Sequence, residues 1–159
     1  MIRAWRLTRR VHATPPSEAY SGIGAERRGG RWNHIGTPAA YASSTRSLAA
    51  LEYLANVDPE DLPADLVFVG IAFYDDTLEN GNPPAGWGLL RSTVAMDYGQ
   101  TWLRSSRSPV LGVPSAIIMA EQNYVINPAH ARFQTLTVDG QLEEFVFDER
   151  LLTKRQAER

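Results

Sequence analysis

The sequence predicts a single α+β domain over residues 1–159, with a mixed, mainly antiparallel sheet as its core and short helices around it. The length of 159 residues is that of one ordinary domain, on a scale of about 100 to 200 residues each. Several short strand-like runs alternate with only two segments of helical period, the pattern of α+β rather than of a bundle or a doubly wound sheet. No internal repeat or low-complexity tract divides the chain.

Ile2 to Leu7 alternates as a strand and is ended by Pro15-Pro16-Ser17. From Tyr20 to Asn33 no helical period is visible, and Gly22, Gly24, Gly29 and Gly30 share the segment with Arg27, Arg28 and Arg31. This reads as a glycine-rich basic loop, able to approach an anion closely. Ala39 to Ala42 is a short strand, after which Ser44 or Thr45 caps a helix running to about Asn56, where Asp58-Pro59 stops it. Leu48, Leu51 and Ala55 are expected on one face of that helix, with Glu52 among them.

Leu66 to Phe73 is nearly all apolar between Pro63 and Asp75-Asp76, the signature of a buried central strand. Tyr74 to Gly88, rich in Gly, Pro and acids, reads as a long surface loop. Leu90 to Arg104 places Val94, Tyr98 and Trp102 at helical spacing, with Gly99 interrupting. Val110 to Met119 is strand-like, but Pro114 cannot donate to a ladder, so the strand is expected at an edge or bulged beside Ser115. Tyr124 to Ile126 is a short strand stopped by Asn127-Pro128, and Asp139-Gly140 predicts a hairpin between Phe133–Val138 and Leu142–Phe147. Residues 148–159 form a charged tail that reads as a frayed helix.

Composition excludes several function classes. With 16 Lys+Arg against 18 Asp+Glu the net charge is −2, so direct binding to nucleic acid through a bulk positive field is not expected. Only a local basic patch is left. Cysteine is absent, which removes disulfides, thiolate metal sites and cysteine nucleophiles and fits a reducing, cytoplasmic setting. Arg3 and Arg6 break the N-terminal apolar run that a signal peptide would need, and no stretch approaches the roughly 18 apolar residues of a membrane span.

His12, His34 and His130 are scattered without the spacing that puts two imidazoles on one helix face, so no metal is expected. Neither G-x-S-x-G nor a P-loop occurs, and Arg27 and Arg91 stand at the third glycine position of the two partial G-x-G-x-x-G matches. An arginine, an aromatic and a carboxylate remain. Arg31 follows two glycines and is either a turn arginine or a bidentate phosphate ligand. Tyr41 is either core with its hydroxyl satisfied or a stacking platform. Glu52 on an apolar helix face demands a partner, either an arginine across the core or a catalytic setting. Arg27, Arg28 and Arg46 are outlying candidates for phosphate, while Trp32, Trp102 and Asn127 read as structural.

GGRWN (29–33), GTPAAYASSTRSLAALEYLAN (36–56), GQTWLRSSRSPVLGVPSAI (99–117) and NYVINPAH (123–130) resemble, in this order and spacing, the RES domain family of bacterial type II toxins. The resemblance covers nearly the whole chain. It implies a fold similar to the ADP-ribosyltransferases, consumption of NAD⁺ as substrate with no further cofactor, and neutralisation by a cognate Xre-type helix-turn-helix antitoxin. The active-site Arg, Tyr, Glu and Ser of the family match Arg31, Tyr41, Glu52 and Ser115.

On that basis Glu52 is expected to stabilise positive charge developing on the nicotinamide ribose, and Arg31 to hold the diphosphate. Tyr41 would stack on the pyridinium, and Ser115 would orient Glu52 or the ribose. The activity expected is that of an NAD⁺ glycohydrolase or phosphorylase; the alternatives are a protein ADP-ribosyltransferase with the same pocket and a non-enzymatic binding module. Trp87, Leu89 and Leu90 are expected to cover the core, the alternatives being an antitoxin interface or contacts between copies in a homo-oligomer.

Overall fold

The computed structural model describes residues 1–152. One curled mixed sheet carries the fold. Its strands are β1 (Ile2–Arg9), β2 (Ala40–Ser43), β3 (Leu66–Phe73), β4 (Leu78–Asn80), β5 (Val110–Pro114), β6 (Gln122–Ile126), β7 (Thr137–Val138) and β8 (Glu143–Glu144). The order is β4-β5-β6-β2-β1-β3-β7, with β8 also on β3, and every pairing is antiparallel except β4 with β5. The helices are α1 (Ile23–Arg28), α2 (Arg46–Ala55), α3 (Thr93–Ser105) and α4 (Glu149–Leu152). Among the described residues no helix is long and apolar enough to cross a membrane.

All eight residues of β3 are buried, as its apolar run predicts, because β1 lines one edge and β7 and β8 the other. One sheet face packs Ala4, Val69, Ile71, Phe73, Tyr124 and Ile126 under Tyr20. The opposite face carries two clusters. Leu111, Val113 and Val125 pack against Trp32 and the α3 residues Ala95, Trp102 and Leu103, while Leu7, Leu66 and Phe68 pack against Ala49 of α2 and Phe147.

Several local expectations are corrected. Residues 20–33 are not all loop: Ile23–Arg28 forms α1, one and a half turns that lack an apolar stripe because none of its residues is buried. On α2 the buried pair is Leu48 and Ala49, and Leu51 and Ala55 are exposed. The inward stripe is therefore Leu48, Ala49 and Glu52, turned by one residue from the predicted face. The 74–88 segment contains β4, which pairs with Val110–Gly112 only. β5 is thus an interior strand, and Pro114 is tolerated because its end extends past β4.

That strand stops at Pro114 rather than Met119, since the Ser115 hydroxyl accepts from the amides of Ile117 and Ile118 (3.0 and 3.1 Å) and turns the chain. The Asp139-Gly140 hairpin does not form. β7 and β8 both pair with β3, at Ile71–Ala72 and Val67–Phe68, and between them Asp139 is held by the Gly70 carbonyl and by Arg3. Of the tail, Glu149–Leu152 is helical, and the rest of the frayed helix expected there lies outside the described residues.

Trp32 and Trp102 are buried, and Asn127 fixes its turn by donating to the Leu103 carbonyl and accepting from the Ala129 amide. Trp87 stacks on Trp32 with centroids 5.7 Å apart and so covers the core, whereas Leu89 and Leu90 are exposed.

Candidate active site

α2 starts where Thr45 accepts the Leu48 amide at 3.0 Å, and its inward stripe brings Glu52 to the ends of β5 and β6. There the carboxylate meets two donors. Ser115 Oγ donates to Glu52 Oε1 at 2.7 Å, and Asn123 Nδ2 donates to the same oxygen at 2.5 Å. Ser115 is fully buried, and because its oxygen already accepts two amides, its own proton is free to point at Glu52. A carboxylate only accepts, so the Asn123 amide must turn its NH₂ toward Glu52, and Ser43 Oγ fixes this by donating to Asn123 Oδ1 at 2.7 Å. Among the described residues Oε2 carries no hydrogen bond and no arginine pairs with Glu52. One oxygen is held and the other is available.

Tyr41 and Ser43 lie two residues apart on β2, so they share a sheet face, opposite Val125 and Asn123 in the register with β6. The second half of the site is built on Tyr41. Its hydroxyl donates to Asn33 Oδ1 at 2.5 Å and accepts from the Trp32 amide at 3.3 Å. Burial pushes the phenol well above its ordinary range, so it stays neutral and a donor. Asn33 is fully buried, and its Nδ2 donates to the carbonyls of Ala25, His34 and Thr37. The GGRWN segment is therefore a clamp on the Tyr41 hydroxyl.

Gly30 is required by that clamp. A Cβ there would sit 2.6 Å from Tyr41 Oη and 2.7 Å from Asn33 Oδ1. Gly30→Ala is expected to lower stability by about 1 to 3 kcal/mol through overpacking and to displace Tyr41, measured as a lower melting temperature and weaker quenching of the site's aromatics by ligand.

Arg31 directs Nη1 to the carbonyls of Trp87 and Leu89, both at 3.1 Å. It thereby ties the 84–89 segment to the clamp. Arg27 and Arg28 are exposed on α1, and Arg46 is engaged elsewhere, pairing with Glu143 and lying over the Trp5 ring at 4.7 Å. The structure brings Glu52 and Ser115 into direct contact and sets Tyr41 on the same sheet face as their partner Asn123. Sequence reasoning missed Asn123 and Ser43. The available signal was their strand parity, which puts two small polar side chains on the side facing Glu52.

A RES domain model matches residues 3–148, nearly the whole chain. The chain belongs to the RES domain family. This RES chain is 33% identical over 157 residues to a Prs ADP-ribosylating toxin of Sphingobium sp. (strain YBL2), covering 94% of this chain and 96% of that protein. It is 35% identical over 156 residues to the Toxin Res of Photorhabdus laumondii (96% and 98% covered), and 37% identical over 142 residues to that of Yersinia enterocolitica (85% and 91%). The Glu52 cluster, the Tyr41 clamp and all of the sheet but Ile2 lie inside the matched region.

Proposed function

We propose that this RES chain is a toxin that arrests growth by breaking the nicotinamide–ribose bond of NAD⁺. The observation that carries the reading is the Glu52 carboxylate, held through Oε1 by Ser115 and Asn123 with Oε2 open. Nicotinamide leaves NAD⁺ as a neutral molecule, taking the electron pair of the C1′–N bond, and the ribose is left with oxocarbenium character. Such a reaction needs a fixed negative charge near C1′ more than it needs a strong acid. Oε2 accepts a ribose hydroxyl, and the carboxylate stabilises the developing cation, an effect worth about 3 to 4 kcal/mol when the group is preorganised. The neutral Tyr41 ring offers a π face to the pyridinium, and Arg31, anchored to the 84–89 segment, presents its remaining guanidinium edge to the diphosphate.

Capture of C1′ by water gives ADP-ribose with release of a proton, and capture by phosphate gives ADP-ribose 1″-phosphate. A second reading, transfer to a protein acceptor, draws on the name of the Sphingobium relative, an ADP-ribosylating toxin. Incubating the protein with labelled NAD⁺, with and without phosphate and lysate, separates the products: free ADP-ribose, its 1″-phosphate, or label on protein. NAD⁺ left intact in every mixture overturns both readings. A cytoplasmic NAD⁺ consumer has to be restrained in its own cell, and the proposed partner is an Xre-type helix-turn-helix antitoxin that blocks the pocket.

Asn123→Ala removes one of two hydrogen bonds to a charged acceptor, each worth about 1.5 to 3 kcal/mol. Turnover is expected to fall about tenfold or more with KM little changed, and Ser43→Ala, which only frees the amide to rotate, to have a smaller effect in the same direction. Equal losses in kcat and in folded fraction would mark both residues as merely structural.

A further inference from the structure

The connection between β5 and β6 runs from Ser115 to Glu121, and its tip, Ala116-Ile117-Ile118-Met119-Ala120, carries no charge. Ile117, Ile118 and Met119 are 39%, 37% and 73% exposed, and none of them belongs to the packed clusters on either face of the sheet. With Ala120 they form the longest exposed apolar run among the described residues. Single exposed aliphatics are ordinary, but a contiguous group of them marks a surface that something covers.

The tip is held in place. Its base is closed by the Ser115 amide donating to the Glu121 carbonyl at 3.0 Å, and the Glu121 amide donates to the Ile118 carbonyl at 2.9 Å. The Ser115 hydroxyl accepts from the amides of Ile117 and Ile118 and donates to Glu52 Oε1. One buried oxygen thus ties the apolar tip to the carboxylate, so a molecule seated on the tip is held at a fixed spacing from the open Oε2. Leu51, one residue before Glu52 on α2, is exposed as well.

The chemistry of the tip selects its occupant. Water and phosphate are small nucleophiles and need no docking surface to reach C1′. A nucleic acid needs cations for its phosphates, whereas the tip is uncharged and flanked by the carboxylates of Glu52 and Glu121. Branched aliphatics and a methionine, with charge kept to the flanks, are what the centre of a protein–protein contact is built from, and methionine adapts to the shape opposite it. The occupant that fits is another protein.

We propose that the 116–120 tip is the docking surface for a protein acceptor of ADP-ribose, seating it with a nucleophilic side chain toward C1′ beside Glu52. The assignment rests on the reading of Glu52 as the group that assists cleavage of NAD⁺, and it gives that reaction the class of its acceptor. The C1′–N bond breaks with its electron pair going to nicotinamide, a bond forms between C1′ and a nitrogen or oxygen of the acceptor, and the proton of that atom passes to water. Cleavage uses Glu52 and its partners, while the side chains of the tip serve only the acceptor, so the two are separable.

The test uses labelled NAD⁺ in cell lysate with wild type, Met119→Asp, Met119→Leu and Val146→Asp, the last an exposed apolar position after β8, toward the opposite edge of the sheet. Met119→Asp is expected to lower the label on protein about tenfold or more, while its cleavage of NAD⁺ without lysate stays within about twofold of wild type. Met119→Leu and Val146→Asp should behave as wild type. Transfer unchanged in Met119→Asp, or transfer and cleavage lost equally in a folded Met119→Asp chain, overturns the assignment and leaves the NAD⁺ reading intact. So does NAD⁺ consumed by wild type with no label on any protein. NAD⁺ left intact by wild type overturns the reading itself, and the assignment with it. A Met119→Asp chain that still labels protein but escapes its antitoxin on co-expression gives the tip to the antitoxin and overturns the assignment. Photo-crosslinking supplies a readout without a charged substitution: a photoreactive amino acid at position 119 should join the chain to the protein that carries the label. A labelled protein that crosslinks no better from position 119 than from position 146 overturns the proposal.

Discussion

Glu52→Gln is expected to reduce NAD⁺ turnover by about 100-fold or more and to abolish growth inhibition on expression, with the fold intact. The substitution preserves shape. The glutamine oxygen can occupy the Oε1 position and accept from Ser115 and Asn123 as the carboxylate does, so the hydrogen-bond pattern at 2.7 and 2.5 Å has a neutral equivalent. What changes is the other position, where an NH₂ replaces the free oxygen and the negative charge is gone. An amide there cannot accept a ribose hydroxyl, nor can it stabilise an oxocarbenium ion, which removes the roughly 3 to 4 kcal/mol assigned to the carboxylate. Stability should fall far less. Two charge-assisted bonds become ordinary ones, a change of about 1 to 2 kcal/mol, or a few degrees in melting temperature for a chain of this size. A Glu52→Gln protein that melts ten or more degrees lower, with activity lost in proportion to folded fraction, would return Glu52 to a structural role. Glu52→Asp sharpens the test, since it keeps the charge but withdraws it from both donors.

The contact of Glu52 with Ser115 at the candidate site was legible in sequence because both residues are conspicuous where they stand. A glutamate among the apolar residues of a short helix has few bland explanations, and its partner Ser115 follows a proline that ends a strand. The central strand was legible for the same reason, as an uninterrupted apolar run. The elements misread depended on neighbours distant in the chain. Asp139-Gly140 carries the local signal of a hairpin, yet β7 and β8 find a longer partner in β3, and tertiary pairing overrides the turn preference. Pro114 predicts a strand at an edge or bulged beside Ser115, whereas β5 is interior and β4 covers only its first part. Asn123 was passed over because its meaning comes from what lies across the sheet, the carboxylate of Glu52.

Gly99 presents the largest stability effect, and two opposing terms fix its sign. It lies inside α3, where alanine is the better helix former by about 1 kcal/mol, so propensity alone predicts that Gly99→Ala stabilises. Packing predicts the reverse. A Cβ at Gly99 would overlap the Trp32 carbonyl oxygen and press on the Trp32 carbonyl carbon and Cβ, each 2.7 Å away. Backbone cannot rotate aside as a flexible side-chain end can, so α3 and the 30–33 clamp must separate at a cost of about 3 kcal/mol or more. The net expectation is a loss of at least about 2 kcal/mol, lowering the melting temperature by roughly 4 to 8 °C. Activity should fall beyond what the lost stability explains, because the displaced segment carries Gly30, Arg31 and Asn33, and with them the hold on Tyr41. Gly24 in α1 is the matched control: a Cβ there meets nothing within 4 Å, so Gly24→Ala should keep the propensity gain without the overlap. Thermal melts of the two variants with opposite shifts would establish that the closeness of α3 to the clamp, rather than glycine's flexibility, is what position 99 provides. A Gly99→Ala protein as stable as wild type would mean that the clamp is not seated on α3, and the account of how Tyr41 is held would fall with it.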